Sequence, residues 1–129
     1  MFFIHTIEHG HVPPAMNMRC GNIVPKAGMA LSFTSGALTV ASGDKMPQFI
    51  SLMEASENQN GKTIPVMQVS HDVIYATTTT AALTAASIGT KVQIAGGGLE
   101  INATAGGTAK LMGFDTGEAG TAAYVRFEE

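Results

Sequence analysis

Residues 29–44 read Met29-Ala30-Leu31-Ser32-Phe33-Thr34-Ser35-Gly36-Ala37-Leu38-Thr39-Val40-Ala41-Ser42-Gly43-Asp44, two alternating runs cut by glycine turns. In an extended chain Met29, Leu31 and Phe33 fall on one side and Ala30, Ser32 and Thr34 on the other, the period of a half-buried strand. Ser35-Gly36 supplies a tight turn, Leu38 and Val40 repeat the pattern, and Ser42-Gly43-Asp44 breaks it. A compact β module follows from this stretch, with no reactive group in it poised for chemistry.

The pattern extends in both directions. Strands are predicted at Gln48–Glu54, Thr63–Val69, Val73–Tyr75, Thr90–Ala95, Leu99–Thr104, Ala109–Phe114 and Ala122–Phe127. Within Gln48–Glu54, Phe49 and Met53 point one way and Ile50 and Leu52 the other; a strand apolar on both faces belongs in the middle of a sheet or under a subunit interface. Thr77–Ser87 reads as irregular or extended rather than helical, because four consecutive threonines are stiff at χ1 and oppose a helix. About eight short strands at this spacing predict an all-β fold, a small β-barrel or β-sandwich, not a βαβ fold.

Residues 1–22 stand apart as an N-terminal arm, leaving 23–129 as a single β domain. Pro13-Pro14 favours an extended conformation there and stops a helix. Phe2, Phe3, Ile4 and Ile7 fit an edge strand, or an arm docked on a neighbouring subunit, equally well.

The chain has 129 residues, a size that buries roughly two-thirds of the surface its unfolded form exposes. Charged residues make up only 13%, about half the usual share. A neutral coat of Ala and Thr suits a chain packed against copies of itself or a partner. Net charge is −3 and the seven basic residues are spread singly, so no basic stripe marks nucleic-acid binding. Apolar runs fall short of the roughly 20 residues a membrane helix needs. Met1–Ile7 lacks the basic start of a secretory signal, so a soluble product of the cytoplasm is expected. The one cysteine, Cys20, excludes an internal disulfide and reads as an inert buried thiol.

Four constellations could carry chemistry. His5, His9 and His11 with Glu8 are the best candidate metal ligands, but the spacing matches no established module and a solvated polar arm is the plainer account. Ser70-His71-Asp72 spells a triad in a row; adjacent extended residues project to opposite faces and cannot converge, so a strand-to-turn corner with Asp72 accepting local backbone hydrogen bonds is expected. Gly61-Lys62-Thr63 ends like a phosphate loop, yet the required first glycine is Ser56 and Ile64-Pro65 prevents the following helix. The carboxylates are scattered, and with no Trp and only Tyr75 and Tyr124 there is little to stack a sugar on. No catalytic residue, cofactor or metal is expected.

The runs Lys26-Ala27-Gly28-Met29-Ala30-Leu31, Ser35-Gly36-Ala37-Leu38-Thr39 and Ser42-Gly43-Asp44-Lys45-Met46-Pro47-Gln48-Phe49-Ile50 resemble bacteriophage head decoration, or cement, proteins. The likeness continues through Ile64-Pro65-Val66, Asp72-Val73-Ile74-Tyr75, Ile88-Gly89-Thr90-Lys91-Val92, Leu99-Glu100-Ile101 and Leu111-Met112-Gly113-Phe114-Asp115. It covers residues 23–127; the His-rich segment before Gly21 has no counterpart. The resemblance implies a non-enzymatic virion protein, made in the bacterial host cytoplasm, that binds the capsid exterior and bridges major capsid subunits. It implies a homo-oligomer, with a trimer favoured at three-fold positions. Phe2, Phe3 and Ile4 are the expected capsid-binding anchors, and Phe49 and Met53 the expected subunit interface. Another virion β module, from a tail or fibre base, and a small ligand-binding barrel are the alternatives.

Overall fold

The computed structural model describes residues 1–8 and 10–129, and His9 lies outside the described residues. Alternating sequence becomes strand throughout: β1 (Phe3–Ile7), β2 (Ala15–Arg19), β3 (Ala30–Thr34), β4 (Ala37–Val40), β5 (Phe49–Ser51), β6 (Thr63–Gln68), β7 (Val73–Thr79), β8 (Lys91–Ala95), β9 (Glu100–Ala105), β10 (Ala109–Phe114) and β11 (Ala122–Phe127). The protein is all-β, as the period-two runs predict. The segment after Thr79 holds only a single 3-10 turn at Ala85–Ser87, in line with the extended or irregular reading.

One sheet runs β1-β7-β11-β10-β8-β9, and β9 returns to β7. That last contact is a short parallel pairing, Thr78 opposite Glu100 and Thr79 opposite Ile101, and it closes β7, β11, β10, β8 and β9 into a five-stranded barrel. The threonine run explains the closure. Thr77 Oγ1 donates to the Leu99 carbonyl at 3.0 Å and Thr78 Oγ1 to Glu100 Oε2 at 2.8 Å. The backbone N–H of Thr80 adds a 2.8 Å bond to Ile101 O. Residues that resist helix thus extend the strand and stitch its end to β9 with their hydroxyls.

The other sheet runs β2-β6-β5-β3-β4. It curls until its outer strands meet, where Cys20 bridges Leu38 and the Gly21 N–H donates to Leu38 O at 2.9 Å. Its curl encloses a small core of Cys20, Met29, Leu31, Leu38, Ile64 and Val66. A larger core fills the barrel and the space between the sheets, including Tyr75, Ile94, Ile101, Leu111, Val125 and Phe127. At one end the Phe127 ring lies 5.3 Å from Tyr75 and 5.4 Å from Phe2, an aromatic contact with tilted rings. As expected of a two-faced strand, β5 is the middle strand of its sheet: Ile50 enters the larger core while Phe49 packs on the smaller one.

Two expectations need correction. The strand at 48–54 is shorter, because the Ser51 hydroxyl accepts the Met53 N–H at 3.1 Å and donates to Met53 O at 3.0 Å, a local turn that ends β5 and leaves Leu52 exposed. Nor does the structure show residues 1–22 as an extended arm. β1 pairs antiparallel with the Val73–Ala76 half of β7, and β2 pairs along β6 from Ala15 opposite Met67 to Arg19 opposite Thr63. Burying Phe2 and satisfying two rows of backbone groups favours the docked segment over a solvated one. Pro13-Pro14 is the extended link between the two sheets, with Pro14 O accepting the Gln68 N–H.

Where the β8–β9 turn meets the second sheet, Gly98 has φ of +86°, and a Cβ there would lie 2.9 Å from Val40 Cγ1 and 3.0 Å from Ala30 O. Backbone strain and close approach both demand glycine. Gly98→Ala is expected to cost at least about 1–2 kcal/mol in urea denaturation, the penalty of a left-handed alanine before any clash. An unchanged midpoint would mean the sheets do not meet here.

Candidate interaction surface

The chemical candidates resolve into structural roles. His5 sits at a bulge in β1 and its ring packs 4.4 Å from that of Tyr124, whose hydroxyl donates to Asp115 Oδ1 at 2.8 Å. That bond, with burial and the Asp115 charge adding to it, raises the Tyr124 pKa. Glu8 accepts from Arg126 Nη1 at 3.0 Å. His11 lines a surface cleft with Val12, Pro13 and Pro14 against Ser70–Asp72. No three ionisable ligands gather into a metal-sized cluster among the described residues.

Ser70-His71-Asp72 is a strand-to-turn corner between β6 and β7. Ser70 Oγ accepts the Asp72 N–H at 3.1 Å, so the serine, not the aspartate, is the local acceptor. The Ser70 N–H donates to the Tyr75 hydroxyl at 3.1 Å. His71 Nδ1 lies 2.7 Å from Phe127 O, and because a carbonyl can only accept, Nδ1 carries the proton. Lys62, in the phosphate-loop mimic, accepts the Cys20 N–H through its carbonyl while Thr63 starts β6. Cys20 is fully buried, and burial pushes its thiol up, away from the reactive thiolate.

A different surface emerges where the chain start crosses the second sheet. Phe2 N–H donates to Gly28 O at 2.8 Å and Gly28 N–H to Ser51 O at 2.8 Å. Gly28 has φ of +77°, and a Cβ on it would lie 2.6 Å from Met1 Cβ, so only glycine seats the N-terminal residues here. The result is an apolar groove of about 300 Å³ lined by Met1–Ile4 from one side and by Ile50, Leu52 and Met67 from the other. Its rim is exposed hydrocarbon: Met1 at 51%, Phe3 at 54% and Leu52 at 48%. Beside it β1 is the edge of its sheet, with no strand along its outer side among the described residues. Backbone donors and acceptors at an edge, flanked by apolar pockets, are the elements from which an added strand gains affinity and register.

The expected anchors therefore divide. All three line the groove, but Phe3 projects to solvent, Ile4 is half-buried against the larger core, and Phe2 is 1% exposed and belongs to that core. Phe49 and Met53 are not brought to this surface; both are half-buried against the protomer's own smaller core. Leu52, between them in sequence, is the residue that joins Phe3 at the rim, and only the turn at Ser51 puts it there.

No family model, curated protein or solved structure matches the chain.

Phe2→Ala is expected to destabilise the protein by about 3–5 kcal/mol, as for large core truncations, while Phe3→Ala stays within about 0.5 kcal/mol. Chemical denaturation of the two variants checks this. Equal losses would place both residues in the same environment and contradict the division between core and rim.

Proposed function

We propose that the protein is a structural component of a phage virion that decorates the outside of the capsid and bridges neighbouring major capsid subunits. The observation that carries this reading is the exposed apolar groove beside an edge of β1 that no strand covers among the described residues. Such a surface suits adhesion to another chain. His5 packs on Tyr124, Glu8 pairs with Arg126 and His71 bonds the Phe127 carbonyl, uses that support binding over catalysis. The resemblance of residues 23–127 to head decoration proteins points to the kind of partner.

In this reading the capsid contributes an extended segment that lies along β1, with apolar side chains entering between Phe3 and Leu52. The working unit is a homo-oligomer, a trimer where it sits on a three-fold position. Modest affinity per copy suffices, because a shell presents many identical sites and a linked oligomer engages several at once. Phe49 and Met53 keep much of their surface inside the protomer, so the subunit contact draws on them only at their exposed edges.

Adding the purified protein to cognate shells that lack it should raise their melting temperature in calorimetry, because it binds the assembled state in preference to free subunits. A Phe3→Asp/Leu52→Asp variant should unfold at the wild-type temperature yet give no shift. Wild-type protein that neither sediments with shells nor stabilises them overturns the proposal.

A further inference from the structure

Three of the seven basic residues, far apart in sequence, stand in one row. Lys110 of β10 is directly opposite Lys91 of β8 on one side and Arg126 of β11 on the other. Their chain neighbours Val92, Ala109, Leu111, Val125 and Phe127 are buried, so strand alternation turns all three cations to the outer face of the barrel. Like charges directly opposite one another destabilise a sheet. On a chain of net charge −3 this row is a local exception.

The last two residues cover it. Glu128 Oε1 accepts from Arg126 Nε at 3.1 Å and Nη2 at 2.9 Å, and its Oε2 lies 3.9 Å from Lys110 Nζ. Lys91 Nζ donates to the Glu129 backbone oxygen at 2.6 Å. Glu8 flanks the row through Arg126 Nη1. Burial alone would raise the Glu128 carboxyl, but the Arg126 hydrogen bond and the Lys110, Arg126 and Lys91 charges outweigh it and hold the group below its ordinary range. The last tie holding this segment to the sheet by backbone is Glu128 N–H to Thr108 O at 2.8 Å.

We propose that the Lys91–Lys110–Arg126 row is a docking site for a carboxylate-rich peptide segment of a partner, which Glu128 and Glu129 occupy within the chain. The resident segment shows the chemistry the site accepts: a side-chain carboxylate over Arg126 and Lys110, followed by a backbone oxygen on Lys91. A partner with consecutive acidic residues reproduces those contacts and gains from every cation the resident leaves. A nucleic acid fits less well. Glu8 disfavours any added anion beside Arg126, so the choice rests on the resident peptide carboxylate and on stacking: among the described residues Tyr124, on the same strand, already gives its hydroxyl to Asp115 and its face to His5. The site is separate from the apolar groove and stands whether or not the capsid reading does.

The test is fluorescence anisotropy with a labelled hexaglutamate peptide and, in parallel, a labelled oligothymidylate. The proteins are wild type, a Glu128→Gln variant, and the same variant carrying Lys91→Gln and Lys110→Gln. Freed of the Glu128 side-chain carboxylate, the first variant should bind hexaglutamate about tenfold more tightly than wild type, the scale of one charge-assisted hydrogen bond. The gain should fade between about 20 mM and about 300 mM salt, as screening shortens. It should vanish with the lysine replacements. Glu128→Gln keeps the size of the side chain and the backbone bond to Thr108 O, so the fold is retained while the anion over Arg126 is lost. Equal binding by wild type and the Glu128→Gln variant, binding that ignores the two lysines, or binding of oligothymidylate without hexaglutamate would each overturn the proposal.

Discussion

The threonine seam at the end of β7 is the constraint on which the rest of the structure rests. A five-stranded sheet of short strands has two open edges, and this one removes them by bringing β9 back against Thr78 and Thr79 in parallel. Two residue pairs make a weak ladder. The hydroxyls of Thr77 and Thr78 reinforce it with bonds to Leu99 O and Glu100 Oε2, so side chains supply what backbone alone leaves thin. Closure then fixes the taper of the barrel and buries Ile94, Ile101 and Leu111. It also decides where β1 can go. Because β9 takes only the far half of that β7 edge, the half from Val73 to Ala76 remains for the N-terminal strand.

From that division the candidate surface follows. β1 docks on the remaining half-edge, Phe2 plugs the end of the barrel beside Phe127 and Tyr75, and the next residue, Phe3, is turned outward by strand alternation. Gly28 lets the chain start lie close against the second sheet, where Leu52 emerges. A groove between two sheets, rimmed by exposed apolar side chains and continued by an open edge, is thus a by-product of how the barrel closes. The same alternation on the far strands places Lys91, Lys110 and Arg126 outward in one row. An apolar groove and a row of cations capped by carboxylates sit on one scaffold.

Much of the fold was legible because alternation is a local signal: β3, β4, β6, β10 and β11 match their predicted runs to within a residue at either end. The threonines after Ala76 were read correctly as non-helical, but hydroxyl bonds to a strand more than 20 residues away leave no mark in sequence. For a comparable reason the sequence leaves the N-terminal segment open between an edge strand, which forms, and an arm on a neighbouring subunit. Phe2-Phe3-Ile4 looks the same docked in its own core or in a neighbour's, and the difference lies in whether β7 has a vacant edge. β2 did carry a signal, Met16 and Met18 alternating with Asn17 and Arg19, overshadowed by the histidines and prolines before it. At the groove, the exposure of Leu52 leaves no mark in the sequence, since it depends on a turn made by the Ser51 hydroxyl. The basic row was invisible, because positions 91, 110 and 126 meet only through sheet register.

Native-state hydrogen exchange tests the closed-barrel account most directly. The Thr80 amide, which donates across the seam to Ile101, and the paired amides of β1 should exchange only through the global opening that also exposes the centre of β7. Fast exchange at β1 and Thr80 alongside a protected β7–β11 pairing would contradict it, leaving an open sheet with a loose N-terminal strand.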